Sequence, residues 1–164
     1  MTTDAVDAIL EQWRHERPDI DPAPMGVFGR ISRIAALAEH EIKPVFRSHG
    51  LTGGDFDVLA TLRRSGEPYQ LTPTALSRSM MVSTGGTTKR LDRLEARTLI
   101  RRAPDPADRR GTLVTLTEAG RATVDAAVTE HVQNEERLLA TLTQNQLATL
   151  TLLLHELLLA LDRD

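Results

Sequence analysis

Apolar residues recur every three or four positions over most of the chain, and this spacing predicts a mainly helical protein. The pattern predicts a first helix over about Thr3–Arg17, with Thr3 as its N-cap. A second, longer helix is predicted over about Met25–Ser48. Pro44 is expected to bend its last turn, and Gly50 suits the cap at its C-terminus.

Two further helix starts are marked by capping residues. Thr52 with Asp55 three positions later forms a capping box, which predicts a helix ending near Arg64. Thr72 followed by Pro73 is the pattern of an N-cap and first helical residue, and it predicts a short helix to about residue 79.

The next helix has few apolar positions and precedes two short strands. Ser83 is expected to cap this helix, which is predicted over about Thr84–Arg97. Alternating residues then predict strands over Leu99–Ala103 and Thr112–Leu116, joined by a charged connection that is too long for a tight turn.

Two helices complete the chain. The first is predicted from Thr117 to about Leu142, and the second begins with a capping box formed by Thr143 and Gln146 and ends near Leu161. The last helix is apolar on nearly all sides, so a single chain of this size has difficulty covering it. This favours a dimer in which a second chain covers the helix.

The order of elements predicts a mainly α fold with a small two-stranded β-wing, that is, a winged helix-turn-helix with a helical dimerisation region. The expected division is 1–50 for the N-terminal helices of the dimerisation region, 51–116 for the winged helix-turn-helix and 117–164 for the C-terminal dimerisation helices.

Composition excludes several classes of function. The 164 residues include no Cys, which removes disulfides, cysteine-ligated zinc, iron–sulfur clusters and thiol chemistry. The five His residues lack the spacing of a zinc site, and neither a G-x-S-x-G turn nor a phosphate-binding glycine loop is present. We therefore expect no enzyme, no metal and no cofactor. Without a signal-like start or an apolar run long enough for a bilayer, we expect a cytoplasmic protein without a membrane partner.

The charges are distributed unevenly. Residues 78–110 contain nine bases and four acids, whereas the rest of the chain contains 11 bases and 19 acids. A basic segment in an acidic chain is typical of a nucleic-acid site, and here it coincides with the predicted second helix of the motif and the wing. Double-stranded DNA is therefore the expected partner. A winged-helix module that binds a protein instead of DNA is the alternative.

Several ordered motifs resemble the MarR family of bacterial transcriptional regulators. The motifs are Phe56–Leu59, Leu91–Glu95, Arg101–Arg102, Asp105–Arg110 and Leu116–Gly120. The resemblance covers about residue 30 to the C-terminus. It implies a homodimer that binds a pseudopalindromic operator, usually as a repressor that a small anionic or phenolic ligand releases.

The candidate DNA-binding residues lie on the predicted second helix of the motif, on the preceding helix and in the wing. They are Thr72, Ser83, Thr84, Thr87, Thr88, Lys89, Arg90, Arg93, Asp108, Arg109 and Arg110. Hydroxyl and guanidinium groups suit base edges in the major groove, and lysines suit phosphates. The resemblance assigns Arg110 to the minor groove, with Asp108 orienting it.

The N-terminal helix with its single tryptophan resembles a urate-responsive, PecS-like subgroup of the family. That resemblance implies four ligand-binding residues, which are Trp13, Asp57, Arg90 and Arg102. Structural alternatives remain open for each of them. Trp13 suits packing, Asp57 suits an ion pair with an arginine such as Arg63, Arg90 suits a DNA contact, and Arg102 suits a surface ion pair.

Overall fold

Helices occupy most of the chain in the computed structural model, which describes residues 2–81, 86–108 and 111–162. The helices of these ranges are α1 (Ala5–Glu16), α2 (Ala23–Ser48), α3 (Gly53–Arg64), α4 (Pro73–Ser79), α5 (Thr87–Ala96), α6 (Glu118–Leu139) and α7 (Gln144–Leu161). The strands are β1 (Gln70–Leu71), β2 (Ile100–Pro104) and β3 (Thr112–Leu116). None of the described helices is long and apolar enough to cross a membrane.

The chain divides into two compact units, Met1–Glu41 and Ile42–Asp164. In the first unit, α1 packs on the beginning of α2 through Val6 and Leu10, which are both buried. Gly26 and Gly29 allow this approach, because a Cβ atom on Gly26 would lie 3.0 Å from Leu10 Cδ1.

The first helix begins one residue later than predicted. Its N-cap is Asp4, and not Thr3, since Asp4 Oδ1 accepts hydrogen bonds from the backbone N–H groups of Val6 and Asp7. Asp7 Oδ2 accepts in return from the Asp4 N–H group, which completes a capping box. Arg30 of α2 holds this turn, with its Nε 2.8 Å from Asp4 Oδ2 and its Nη2 2.6 Å from Asp7 Oδ1.

The second unit has a single aliphatic core among its described residues. Val58, Leu59 and Leu62 of α3 are fully buried in it. The other buried members are Phe46, Leu51, Leu76, Leu91, Leu94, Leu99, Ile100, Val114, Leu116, Val124 and Ala127. The core therefore joins the helix-turn-helix to the sheet and to α6.

The sheet has three antiparallel strands in the order β1-β3-β2. The predicted wing is present, with Ile100 opposite Leu116 and Arg102 opposite Val114. Strand β1 was not predicted, because two residues are too short to show alternation; its Gln70 pairs with Thr115. The mainly helical winged helix-turn-helix with a small β-sheet is confirmed.

The fifth helix begins later than the sequence predicts. The predicted start was Thr84 with Ser83 as the cap, whereas α5 begins at Thr87 and its N-cap is Gly86. Gly86 has a φ of 81°, a left-handed conformation that glycine adopts without the steric cost of a Cβ atom. The predicted helix starts at Thr52, Thr72, Thr117 and Thr143 are confirmed, since each side chain accepts a backbone hydrogen bond from its helix.

Candidate nucleic-acid interface

Helix α4 and helix α5 form the helix-turn-helix. Thr72 caps α4, with its Oγ1 accepting from the Ala75 N–H group at 3.2 Å. At the other end of α4, the Met81 N–H group donates to Asp57 Oδ1 of α3 at 3.3 Å. Asp57 is 7% exposed, so it supports the turn that leads to α5 from within the protein.

A cleft between α4 and α5 presents hydroxyl groups. Its volume is about 460 Å³, and the threonine and serine residues that line it are Thr74, Ser77, Thr87 and Thr88. On α5 itself, Thr88 and Lys89 are exposed while Leu91 and Leu94 are buried in the core. Two of the predicted DNA-binding residues therefore lie on the exposed side of α5.

Three arginines follow each other along one face of α5 and its C-cap at spacings of three and four residues. We call Arg90, Arg93 and Arg97 the arginine stripe. All three contact residues 50–55, which connect α2 to α3 and form the first turn of α3. The predicted DNA-binding residues Arg90 and Arg93 thus make contacts within the protein as well.

The central contact of the stripe is an ion pair with a buried carboxylate. Asp55 Oδ1 accepts from Arg93 Nε at 3.2 Å and from Nη2 at 2.5 Å. The Asp55 side chain is 1% exposed and that of Arg93 is 46% exposed. Burial alone would raise the pKa of Asp55. The hydrogen bonds from Arg93 and Thr52 outweigh burial and hold that pKa below its ordinary value.

The two outer arginines contact backbone positions that are glycines. The Arg90 guanidinium lies over Gly54, where a Cβ atom would be only 2.5 Å from Arg90 Nε. Arg97 Nη1 donates to the Gly50 carbonyl at 2.7 Å. Gly50 has a φ of 68°, as expected for the residue that ends α2.

The opposite side of α5 binds Arg102 of β2. Arg102 Nη2 lies 2.6 Å from Glu95 Oε2 and 2.7 Å from Asp92 Oδ1, and the Arg102 N–H group donates to Glu95 Oε1. The guanidinium of Arg102 lowers the pKa of Glu95, and the two carboxylates raise the pKa of Arg102. This geometry matches the ion-pair alternative for Arg102.

The wing carries the charged connection between β2 and β3. Its base is closed by two backbone hydrogen bonds, from Asp105 N to Gly111 O and from Gly111 N to Asp108 O. Asp108 is exposed. Arg109 and Arg110 lie outside the described residues, and so do Ser83 and Thr84.

The predicted ligand-binding residues are only partly brought together. Asp57 lies one helical turn beyond Gly54 on α3, so it shares a face of α3 with the residue under Arg90. Arg102 contacts the side of α5 about half a turn away from Arg90. Trp13 lies on α1 in the first unit and is 39% exposed. Arg63, considered as a partner of Asp57, donates to Asp125.

Two residues with a place in this site were missed as site residues from the sequence. Asp55 was assigned only to a capping box, and Gly54 was not singled out. One signal was present in the sequence, since arginines at positions 90, 93 and 97 have the spacing of one helical face and could share a partner.

Helix α7 presents a large apolar surface. None of its residues from Gln144 to Leu161 is buried. The exposed leucines are Leu147, Leu150, Leu152, Leu153, Leu154, Leu158, Leu159 and Leu161. Contiguous apolar surface of this kind marks an interaction site.

Comparisons with known proteins identify relatives of the chain. Residues 49–111 match the model of the MarR family. The regulator PecS of Dickeya dadantii, described as an HTH-type transcriptional regulator, is 40% identical over 149 residues, which are 91% of this chain and 90% of that protein.

Two solved structures extend the comparison. A mutant of MarR from Escherichia coli in complex with operator DNA has a TM-score of 0.69 and 27% identity, and the match covers 89% of this chain and 97% of that one. BpsR of Bordetella bronchiseptica, whose DNA binding is described as regulated by 6-hydroxynicotinic acid, has a TM-score of 0.70 and 28% identity, with coverages of 83% and 94%.

Proposed function

The chain belongs to the MarR family of transcriptional regulators, and we propose that it is a homodimeric repressor released by a small anionic or aromatic ligand. As a member of this family it is a DNA-binding regulator and not an enzyme. The observation that carries this proposal is the helix-turn-helix, in which α5 exposes hydroxyl and amino groups beside a hydroxyl-lined cleft. The protein-binding alternative lacks support, since a relative of the same fold is complexed with operator DNA.

In the proposed complex, α5 enters the major groove and the wing enters the minor groove. Thr87, Thr88 and Arg90 read base edges, while Lys89 contacts phosphate. Thr72, Ser83 and Thr84 are further DNA-binding residues of this proposed complex. In the wing, Arg110 reads the minor groove with Asp108 orienting it, and Arg109 meets phosphate.

Dimerisation is proposed from the apolar surface of α7. Removing apolar surface from water contributes about 25 cal/mol per Å², and a second copy of the chain provides a matching surface by symmetry. A twofold dimer presents its two α5 helices about 34 Å apart, one turn of DNA, and therefore requires a pseudopalindromic operator.

Sedimentation at micromolar concentration tests the dimer. We expect twice the mass of one chain for the wild type. Leu154→Glu should lower this mass, because it introduces a charge among the exposed leucines of α7. Thr149→Glu serves as a matched control, since Thr149 is exposed on the side of the same helix that carries Asn145 and Glu156. A wild-type mass of one chain would contradict the dimer.

Release by a ligand is proposed for Asp57, Arg90 and Arg102, with Trp13 as the fourth residue of the set. Guanidinium groups form charge-assisted hydrogen bonds with anions, and an indole ring stacks on flat molecules. An anion at Arg102 has to compete with Asp92 and Glu95. A ligand on Arg90 would withdraw it from DNA.

The ligand experiment uses urate and 6-hydroxynicotinic acid as probes. Trp13 is the only tryptophan, so its fluorescence reports on binding. A mobility shift on the DNA flanking the protein's own gene should show release, and operator DNA should weaken ligand binding by the same factor, typically about 5- to 150-fold. Unchanged fluorescence and unchanged DNA binding at millimolar ligand would contradict control by these ligands.

A further inference from the structure

The arginine stripe ties α5 to the junction between α2 and α3, residues 50–55. From this geometry we infer that Asp55 is a positioning residue for DNA recognition, because its carboxylate sets the orientation of α5 through Arg93. The inference rests on the proposed function, in which α5 enters the major groove. Asp55 itself does not touch DNA in this account.

The two carboxylate oxygens of Asp55 hold two different elements. Oδ2 accepts from the N–H and hydroxyl groups of Thr52, at 3.0 and 2.7 Å, and so caps α3. Oδ1 accepts from two nitrogens of Arg93 on α5. The first turn of α3 is thereby joined directly to α5.

The chemistry of this pair makes the link strong. Two nitrogens of the planar Arg93 guanidinium bind the same carboxylate oxygen, which fixes the edge of the guanidinium that faces Asp55 as well as its distance. The Asp55 side chain is 1% exposed with Arg93 in place. A buried carboxylate without its partner is costly, and α5 is held in the orientation that keeps the pair.

The outer contacts of the stripe fix the direction of the helix. Arg90 and Arg97 are seven residues apart, which is about 10 Å along a helix axis. One lies over Gly54 and the other donates to the Gly50 carbonyl. Contacts near both ends of α5, with the ion pair between them, define both its direction and its rotation.

The competing role for Arg93 is a phosphate contact, and the two roles predict opposite effects of Asp55→Asn. If Arg93 binds phosphate, Asp55 competes for it, and the substitution should strengthen DNA binding. If Asp55 positions α5, the substitution should weaken binding to the operator. Asparagine retains an oxygen that can accept at the α3 cap, so the helix start is preserved.

The experiment compares operator DNA with a shuffled fragment of equal length. For Asp55→Asn we expect operator affinity to fall about 5- to 10-fold, roughly the effect of one lost base contact. Affinity for shuffled DNA should stay the same or rise slightly, because non-specific binding depends on charge and the variant loses an acid. Asp55→Glu, which keeps the charge and the usual capping-box chemistry, should restore most of the operator affinity.

Asp125→Asn is the matched control. Asp125 pairs with Arg63 Nε at 2.8 Å, links α6 to the end of α3, and carries the same charge as Asp55. Its substitution should leave the preference for operator unchanged. Thermal unfolding of each variant shows whether it is folded, and Arg93→Gln provides a second way to remove the ion pair if Asp55→Asn does not fold.

The dependence on salt distinguishes the two roles of Arg93. A lost phosphate contact lowers the slope of log affinity against log salt by about 0.9, whereas a lost positioning residue leaves the slope unchanged. Stronger operator binding by Asp55→Asn, or a reduced slope in Arg93→Gln, would overturn the inference. Equal binding of operator and shuffled DNA by the wild type would instead contradict the proposed function.

Discussion

Replacing Gly54 by alanine should show how the position of Arg90 affects DNA binding, apart from any effect on the stability of the protein. Helix α3 begins with two glycines, and only the second lies under Arg90. A Cβ atom at position 54 would lie 2.5 Å from Arg90 Nε and 2.8 Å from Cζ. A Cβ atom on Gly53 would meet only ring atoms of Phe46, at 3.9 Å. Gly53→Ala is therefore a matched control.

The expected magnitudes follow from these distances. Alanine in place of glycine in a helix is worth about 0.5–1 kcal/mol, so we expect Gly53→Ala to raise the free energy of unfolding by up to that amount. Gly54→Ala should raise the free energy of unfolding by less than Gly53→Ala does, because its Cβ atom displaces the Arg90 guanidinium, which is the mobile end of a flexible side chain. In DNA binding, Gly54→Ala should lose part of the discrimination of about 1–3 kcal/mol that a good arginine–base contact supplies.

A double-mutant cycle with Arg90→Ala tests the reasoning. Chemical denaturation and titration of operator variants are measured for the two single variants and for the double variant. Because the effect of Gly54→Ala acts through Arg90, it should vanish in the Arg90→Ala background. An equal loss of discrimination in both backgrounds, or the same loss in Gly53→Ala, would refute the reasoning.

Three other predictions concern charged side chains. Asp55→Asn should cost about 1–3 kcal/mol of unfolding free energy at neutral pH. The pKa of Asp55 is lowered in the folded protein, so the stabilisation that its carboxylate gives is lost as pH falls through that pKa. In denaturation experiments, the free energies of unfolding of wild type and Asp55→Asn should therefore converge as the pH is lowered below about 4. Arg30→Ala removes both ion pairs that hold the start of α1. Hydrogen exchange in α1 should therefore rise while α3 stays protected. Equal protection of α1 in the variant and the wild type would contradict this prediction. In the wing, Arg110→Ala should weaken operator binding with no change in thermal unfolding. Arg110→Lys should retain only part of the operator affinity, because lysine lacks the planar guanidinium. A parallel loss of thermal stability in Arg110→Ala would indicate a structural role.

The starts of most helices could be predicted from the sequence because a cap is a local interaction. The hydroxyl groups of Thr52, Thr72, Thr117 and Thr143 each bond to a backbone N–H group three residues later, and that spacing is visible in the sequence. The start of α1 was misplaced by one residue, since Thr3 and Asp4 are adjacent candidate caps and the carboxylate forms the bonds.

The features that were missed depend on a strand partner distant in sequence in one case and on a backbone conformation in the other. Strand β1 consists of Gln70 and Leu71, and it exists only because β3 offers an edge for pairing. The start of α5 depends on the left-handed conformation of Gly86, and several neighbouring residues have the chemistry of a cap, so the sequence alone did not single out Gly86. Local patterns contain neither kind of information.

Electrostatics shows why a count of charges along the sequence does not determine which arginines are available to DNA. A guanidinium group binds a carboxylate as readily as a phosphate, so a count of charges does not distinguish the two partners. Arg93 is bound to Asp55, a residue outside the basic segment, and Arg102 is bound to two acids inside it. The positive charge available to DNA is therefore smaller than the sequence suggests. These arginines instead hold α5 on both sides, and so they fix the direction in which the exposed Thr88 and Lys89 point.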